Sequence, residues 1–297
     1  DCDGLESFTC GEFLTNIGDS VFNGCDSLKE VQLNEGLTTI GTNVFNNCNS
    51  LEEINIPSTV VDLKPNAFYY TPSLKNINVD SDNEYYHSID GNLYNDDYTI
   101  LTNYCVGKED TTFEIPTSVN TIDSYAFQNA YNLKYITIGN RIKNINTHAF
   151  DGCVSLQSLI IGDSVETIGT NAFSGCTALS KVVIGNNVTS IGSYAFSECK
   201  NVVEFTMPVS CSINNPIKEY SWSMLKKVTL TAGNGMMPSY DSSSYRYLPW
   251  YNSSVKNITI EEGVTNIGNY AFYNLSSLTN ISLPSTIETI GASSFKY

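Results

Sequence analysis

The stretch GCVSLQSLIIGDSVETIGTNAF, Gly152 to Phe173, is followed by GCTALSKVVIGNNVTSIGSYAF, Gly175 to Phe196, at an offset of 23 residues. An earlier copy, GCDSLKEVQLNEGLTTIGTNVF, occupies Gly24 to Phe45. Self-similarity at a fixed period of this length is the signature of a repeat array, and it outranks any element-by-element reading.

Working outward, three columns hold the register. A leucine column runs through Leu5, Leu28, Leu51 and Leu74 and resumes at Leu133, Leu156 and Leu179. A phenylalanine column runs through Phe22, Phe45, Phe68, Phe127, Phe150, Phe173, Phe196, Phe272 and Phe295, and an isoleucine column accompanies it at Ile40, Ile145, Ile168 and Ile191. Two steps depart from the period. Leu74 to its equivalent Asp110 is 36 residues and Leu225 to Val255 is 30, which amounts to insertions of 13 and 7 residues.

Each copy carries a short alternating stretch such as Ile136-Thr137-Ile138, which reads as a strand. A Pro or Gly follows, as at Pro57, Gly162 and Pro208, and turns the chain. A second apolar piece comes next, such as Val165 to Ile168. Gly169 and its equivalents are expected to adopt φ > 0 in a tight turn. A helical or irregular piece carrying Ala-Phe then closes the coil. Twelve such coils fit between residues 1 and 297. No coil can bury its apolar face alone, so neighbours stack and share one core. The expected organisation is a single array, residues 1–297, interrupted at about 80–109 and about 231–254, with a degenerate stretch at 209–254.

The pattern L-x-x-I-x-I-G-x-x-V-x-x-I-G-x-x-A-F-x-x-C resembles the BspA-like leucine-rich repeats, found on surface proteins of bacteria and some parasitic protists. The resemblance implies a right-handed, curved leucine-rich-repeat solenoid of β/α repeats with a parallel β-sheet. It also implies adhesion to host or microbial macromolecules. The segment SIDGNLYNDDYTIL, Ser88 to Leu101, looks like the β-hairpin insertion common in that family. Cys2 and Leu5 already occupy repeat columns, and Phe295 occupies another two residues before the end. A fragment of a longer protein is therefore expected, with export signal and anchor outside it.

The chain has 31 acidic and 15 basic residues, a formal charge of −16. Such a field repels phosphate backbones and anionic lipid, so neither nucleic acid nor a membrane surface is an expected partner. No apolar run reaches the length of a membrane span, so direct membrane insertion is not expected. An extracellular or cell-surface monomer that binds a protein or glycoprotein is the reading.

Eight of the nine cysteines fall in core columns, among them Cys25, Cys48, Cys153, Cys176 and Cys199. They read as small buried hydrophobes with free thiols. Cys105 alone is off the pattern. A zinc site would need clustered ligands at short spacing, which is not present. The two histidines, His87 and His148, have no nucleophile partner outside the repeat logic, and a regular solenoid offers a surface and not a catalytic pocket. Asp80 to Glu84 resembles the start of a calcium loop but lacks the glycine and distal glutamate of an EF-hand, so a solvated turn is expected. No enzyme, cofactor or metal follows from these residues.

Candidate contact residues are what the repeat leaves free. Outward strand positions include Thr137, Ile160, Val183 and Thr206, where Ile160 and Val183 replace the Thr, Asn or Gln of other coils. The second irregular region adds Tyr240, Tyr245, Tyr247, Trp250 and Tyr251. Of these, Tyr240, Tyr245 and Tyr247 are expected to be exposed, and Trp250 sits one residue off the phenylalanine column. The favoured reading of these rings is core filling where the repeat fails, with recognition as interface anchors the alternative. A structural spacer holding another domain away from a cell is the alternative function.

Overall fold

The computed structural model describes residues 2–213, 222–241, 243–251 and 253–296. Of the degenerate stretch at 209–254, residues 214–221, 242 and 252 lie outside the described residues. The architecture is a parallel-sheet solenoid of about 12 turns of about 23 residues. Its residues group into two compact units, 1–110 with 118–132 and 111–117 with 133–297.

In the second unit the first strand of every coil joins one eight-stranded, all-parallel sheet that begins at Thr112–Glu114 and ends at Asn280–Ser282. The register is that of the repeat: Ile136 pairs Leu159, Leu159 pairs Val182, and Val182 pairs Phe205. Val228 pairs Ile258 across the 30-residue step, so the 7-residue insertion leaves the ladder intact. Alternation along each strand sends Leu159 and Ile161 into the core and Ser158 and Ile160 outward.

The second apolar piece of each coil forms a sheet of its own, built from two-residue strands. Asn144–Ile145, Thr167–Ile168 and Ser190–Ile191 stack in parallel in the second unit, as Asn16–Ile17, Thr39–Ile40 and Asp62–Leu63 do in the first. A regular coil is thus a two-strand rung closed by turns.

The Ala-Phe piece is not helical. Among the described residues the only helical element is a 3-10 turn at Ser244–Tyr247, which corrects the β/α expectation. The cause is local. Each closing segment visits the left-handed region, at Asn43, Tyr125, His148, Asn171, Tyr194 and Tyr270, with φ between 53° and 65°. A second left-handed column holds Asn47, Tyr70, Asn129 and Glu198, filled by glycine at Gly24, Gly152 and Gly175. Non-glycine residues in this region cost on the order of 1 kcal/mol or more each. The strain is offset by inter-coil hydrogen bonds: the amides of His148, Asn171 and Tyr270 donate to the carbonyls of Thr170, Ser193 and Ala292 in the next coil.

Gly169 does not serve the role that sequence reasoning assigns to it, since its φ is not positive. A Cβ there would lie 2.6 Å from Asn146 C and Thr147 N of the preceding coil. The glycine is required for close approach of two backbones, as are Gly41 and Gly192.

The phenylalanine column is a stack of rings. Phe150, Phe173 and Phe196 lie 5.1 and 5.3 Å apart between centroids, within 6° of parallel. Phe22, Phe45 and Phe68 repeat this at 5.6 Å. Tyr104 takes over the column against Phe127 at 4.9 Å. The cysteines beside the stack do more than fill space. The thiols of Cys48, Cys176 and Cys199 donate to the carbonyls of Phe22, Phe150 and Phe173 at 3.1–3.3 Å. Thr71, in the same column, donates to Phe68 O at 2.7 Å. Ala130 and Leu275 fill the same column without a donor, so the hydrogen bond adds to the packing role and does not define the column. All nine cysteines are free thiols, and Cys2 alone is exposed, a departure from the core position its column implies.

In the first unit, Tyr86–Ile89 and Asn92–Asn95 form an antiparallel hairpin. Asn92–Asn95 also pairs antiparallel with Ile100–Asn103, which in turn pairs parallel with Thr121–Ile122. The turn before the hairpin is solvated except for Asn83, which is buried. Its amide nitrogen donates to Pro57 O and Val60 O, and its oxygen accepts from the Tyr85 and Tyr86 amides. Cys105 is buried at the hairpin base, its thiol donating to Gly91 O at 3.0 Å.

Candidate functional site

The outward row of the second unit's sheet runs Thr137, Ile160, Val183, Thr206, Thr229, Thr259 and Ser282, each paired to the next by register. Parallel pairing at a constant offset places equivalent side chains side by side, so a row of like residues becomes a continuous surface. Ile160, next to Thr137 in this row, is 54% exposed, and Val183 beside it is half-buried. The two form a small apolar island between threonines.

Sequence reasoning missed a second outward row two residues earlier, although the same alternation implies it. There Tyr135 pairs Ser158, followed by Lys181, Glu204, Lys227 and Asn257. Tyr135 is exposed, and its hydroxyl donates to Gln157 Oε1 at 2.8 Å. Lys181, Glu204 and Lys227 alternate in sign across adjacent coils. The island is therefore flanked within its row by hydroxyls, and the neighbouring row adds an aromatic ring and charges of alternating sign.

Of the three loop tyrosines expected to be exposed, Tyr247 is, Tyr240 is half-buried and Tyr245 is not. Tyr245 is buried, at 9% exposure, and stacks on Tyr270 at 6.2 Å while contacting Tyr251 and Tyr273 at 5.4 and 4.6 Å. Trp250 is also buried; its indole N–H donates to Ala271 O at 2.7 Å and its ring packs on Phe272. It stands in for the missing phenylalanine of its coil. Tyr240 and Tyr251 are half-buried, and burial pushes the Tyr240 phenol above its ordinary value. Tyr247 remains exposed, at 47%, next to Arg246, whose guanidinium lies over the Tyr245 ring at 5.8 Å. Serines and arginine around these tyrosines suggest exposure, but the core vacancy left by the irregular coil captures the larger rings. The ring partners of Tyr245 lie outside the strand row, so loop and row are separate patches.

The remaining polar groups form local structure. His148 Nδ1 lies 2.9 Å from Asp151 and its Nε2 3.1 Å from the Asn171 amide. His87 stacks on Tyr98 at 4.4 Å. Asp80 accepts from the Asp82 amide within its turn. Among the described residues no three His, Cys, Asp or Glu side chains come together to hold a metal ion. No helix among them is long and apolar enough to cross a membrane.

Solved structures with this architecture are bacterial leucine-rich-repeat proteins. One from Eubacterium ventriosum is 26% identical with a TM-score of 0.64, the alignment covering 98% of this chain and 76% of that one. A leucine-rich cell surface protein from Faecalibacterium prausnitzii is 25% identical with a TM-score of 0.59, covering 95% and 65% of the two chains. The pneumococcal vaccine antigen PcpA shares the fold at 23% identity and a TM-score of 0.59, and this chain spans 62% of its length. No curated protein sequence matches the chain. The BspA-type leucine-rich-repeat region matches it in six copies, over residues 1–97, 98–229 and 245–297. With the 23-residue rungs, the stacked phenylalanines and this match over most of its length, the chain belongs to the BspA-type leucine-rich-repeat family.

Proposed function

We propose that the chain is an adhesion module, displayed outside the cell or on its surface, that binds a protein partner through the strand face of the second unit. The observation that carries this reading is the island of Ile160 and Val183, a large exposed aliphatic side chain where the repeat otherwise places short polar ones. Tyr135, Thr137, Thr206 and the Lys181–Glu204–Lys227 row supply its polar rim, an arrangement typical of interfaces. Tyr247 on the neighbouring loop is a secondary contact; Tyr245 and Trp250 support it from the core. Covering Ile160, about half of which is exposed, contributes about 1–1.5 kcal/mol. Association of the whole row is a broad contact and not a small-molecule pocket. That one similar protein is a cell surface protein and another a vaccine antigen agrees with exposure to the exterior. The module acts as a monomer and performs no chemistry.

The test is capture of the purified chain on immobilised extracellular-matrix proteins. Ile160→Asp with Val183→Asp is expected to reduce capture at least about tenfold, whereas Tyr247→Ala alone has a smaller effect. Undiminished capture by the folded double variant eliminates the strand face as the binding surface.

A further inference from the structure

The 13-residue insertion does more than add a hairpin. It separates the short sheet that ends at Asp62–Leu63 from the one that continues through Ile100–Asn103. The Tyr86 hydroxyl accepts from the Leu63 amide at 3.0 Å and caps the edge of the first. Beside that break, within the first unit, a cleft of about 290 Å³ opens between residues 63–68 on one wall and Thr102, Asn103 and Tyr125 on the other. A smaller pocket of about 30 Å³ shares Asn66, Asn103 and Tyr125 with this cleft and is lined also by Tyr69 and Tyr70. The Tyr69 ring meets Tyr125 edge-on at 6.4 Å and Tyr70 at 6.1 Å, and Tyr70 is exposed. The Asn66 side-chain oxygen is buried with no hydrogen-bond partner.

Three features define what this cleft would accept. Flat aromatic rings beside amide and hydroxyl groups suit a ligand with an apolar C–H face and a rim of hydroxyls. The unpartnered Asn66 oxygen wants a donor, which a hydroxyl supplies. The nearby cation, Lys64, is already paired with Asp62 at 2.6 Å, and the chain as a whole carries −16, so sulfated or carboxylated ligands are disfavoured. An extended peptide is also disfavoured, because the Ile100–Asn103 strand is paired on both sides and offers no edge.

We propose that this cleft is a binding subsite for a short segment of neutral glycan, with Tyr125 and Tyr70 as the stacking platform and Asn66 and Asn103 as hydroxyl partners. The site is independent of the strand face of the second unit.

The test is calorimetric titration of the full chain with neutral oligosaccharides (manno-, gluco- and galacto-series) and with heparin oligosaccharides as the charged arm. At least one neutral series binds in the millimolar range or tighter. Tyr125→Asn and Tyr70→Asn each weaken it about tenfold. Asparagine already occupies both columns, at Asn43 and Asn171 and at Asn47 and Asn129, with the same left-handed backbone, so these variants keep the fold. Asn103→Trp, which fills the cleft from the opposite wall, abolishes binding, and Ile160→Asp leaves it unchanged. The proposal is overturned if no neutral series binds, if heparin oligosaccharides bind more tightly than every neutral one, if the asparagine variants bind as wild type, or if Ile160→Asp removes binding.

Discussion

Replacing Phe173 by alanine removes the centre of a three-ring stack. The ring is fully buried, with Phe150 at 5.1 Å on one face and Phe196 at 5.3 Å on the other. Returning its apolar area to the balance costs about 2–3 kcal/mol, and the two ring contacts add about 0.5–1.5 kcal/mol each. A rigid neighbourhood of stacked backbones cannot collapse into the void, so the whole falls in the range of about 3–5 kcal/mol. Phe295 is the control. It is 43% exposed and has one ring neighbour, Phe272 at 5.4 Å, so Phe295→Ala costs about 1–2 kcal/mol by the same reasoning. Repeat arrays do not always unfold in a single step, so denaturant curves are best paired with a local probe. Cys199 supplies it, because its thiol donates to Phe173 O. Thiol labelling under native conditions reports the opening free energy of that coil. Equal losses for the two variants, or unchanged Cys199 protection in Phe173→Ala, would refute the column as the source of coil-to-coil stability.

Other outcomes follow from the same contacts. Gly169→Ala, whose Cβ would meet the preceding backbone at 2.6 Å, destabilises by about 1–3 kcal/mol, whereas Gly139→Ala, with nothing within 4 Å, is neutral; thermal midpoints that move alike contradict the close-approach argument. Asn83→Leu strands two carbonyls and two amides in a buried turn and costs more than about 3 kcal/mol; retention of hairpin amide protection in this variant would show that Asn83 is dispensable. Native-state titration with a thiol reagent labels Cys2 rapidly and the buried Cys176, whose thiol is held well above its ordinary value by burial, only on unfolding. Burial also pushes Cys48, Cys105 and Cys211 from 9.0 up to about 12. Because the folded value is the raised one, their contribution is complete below pH 9 and declines as pH rises toward 12; the Cys48→Ala, Cys105→Ala, Cys211→Ala variant should show a flatter decline over that window, and an equally steep one would remove thiol burial as its cause.

Translational repetition explains why the rungs were legible. A column such as Phe150, Phe173, Phe196 has one environment repeated, so one residue type satisfies it and the pattern prints itself along the chain. The second sheet was harder to see because a strand of two residues, such as Thr167–Ile168, is too short to show alternation. The closing segment reads as helical or irregular from its residues, and the structure decides for the second. Ala-Phe looks helical by composition, but the left-handed residues on either side of it break any helix, and Tyr125, His148 and Tyr194 conceal a signal that asparagine or glycine would have given. Gly169 marks the same limit. A glycine in a repeat column announces a constraint, and only the coordinates distinguish a positive φ from a backbone contact.

The site was least legible where the repeat is interrupted, and for the reason that makes those places interesting. Inside the array a side chain's fate is set by its column: Ile160 is outward because Thr137 is, and its exposure follows from the register alone. At an insertion no column exists, and volume decides instead. Trp250 and Tyr245 are drawn into the space an irregular coil leaves, despite polar neighbours that argue for the surface. Around the first insertion the outcome is the reverse. The coil at 62–71 and the strand at 100–103 each belong to a ladder, and the hairpin between them prevents the short sheets from joining, so the two ladders leave a cleft lined by residues that a regular coil would cover. Regular rungs thus supply a broad face whose chemistry varies slowly, and their interruptions supply concavity. On the two proposals made above, an extended protein surface would be recognised by the first and a small polyhydroxylated ligand by the second, so substitutions in the row at Ile160 and in the cleft at Tyr125 should separate the two.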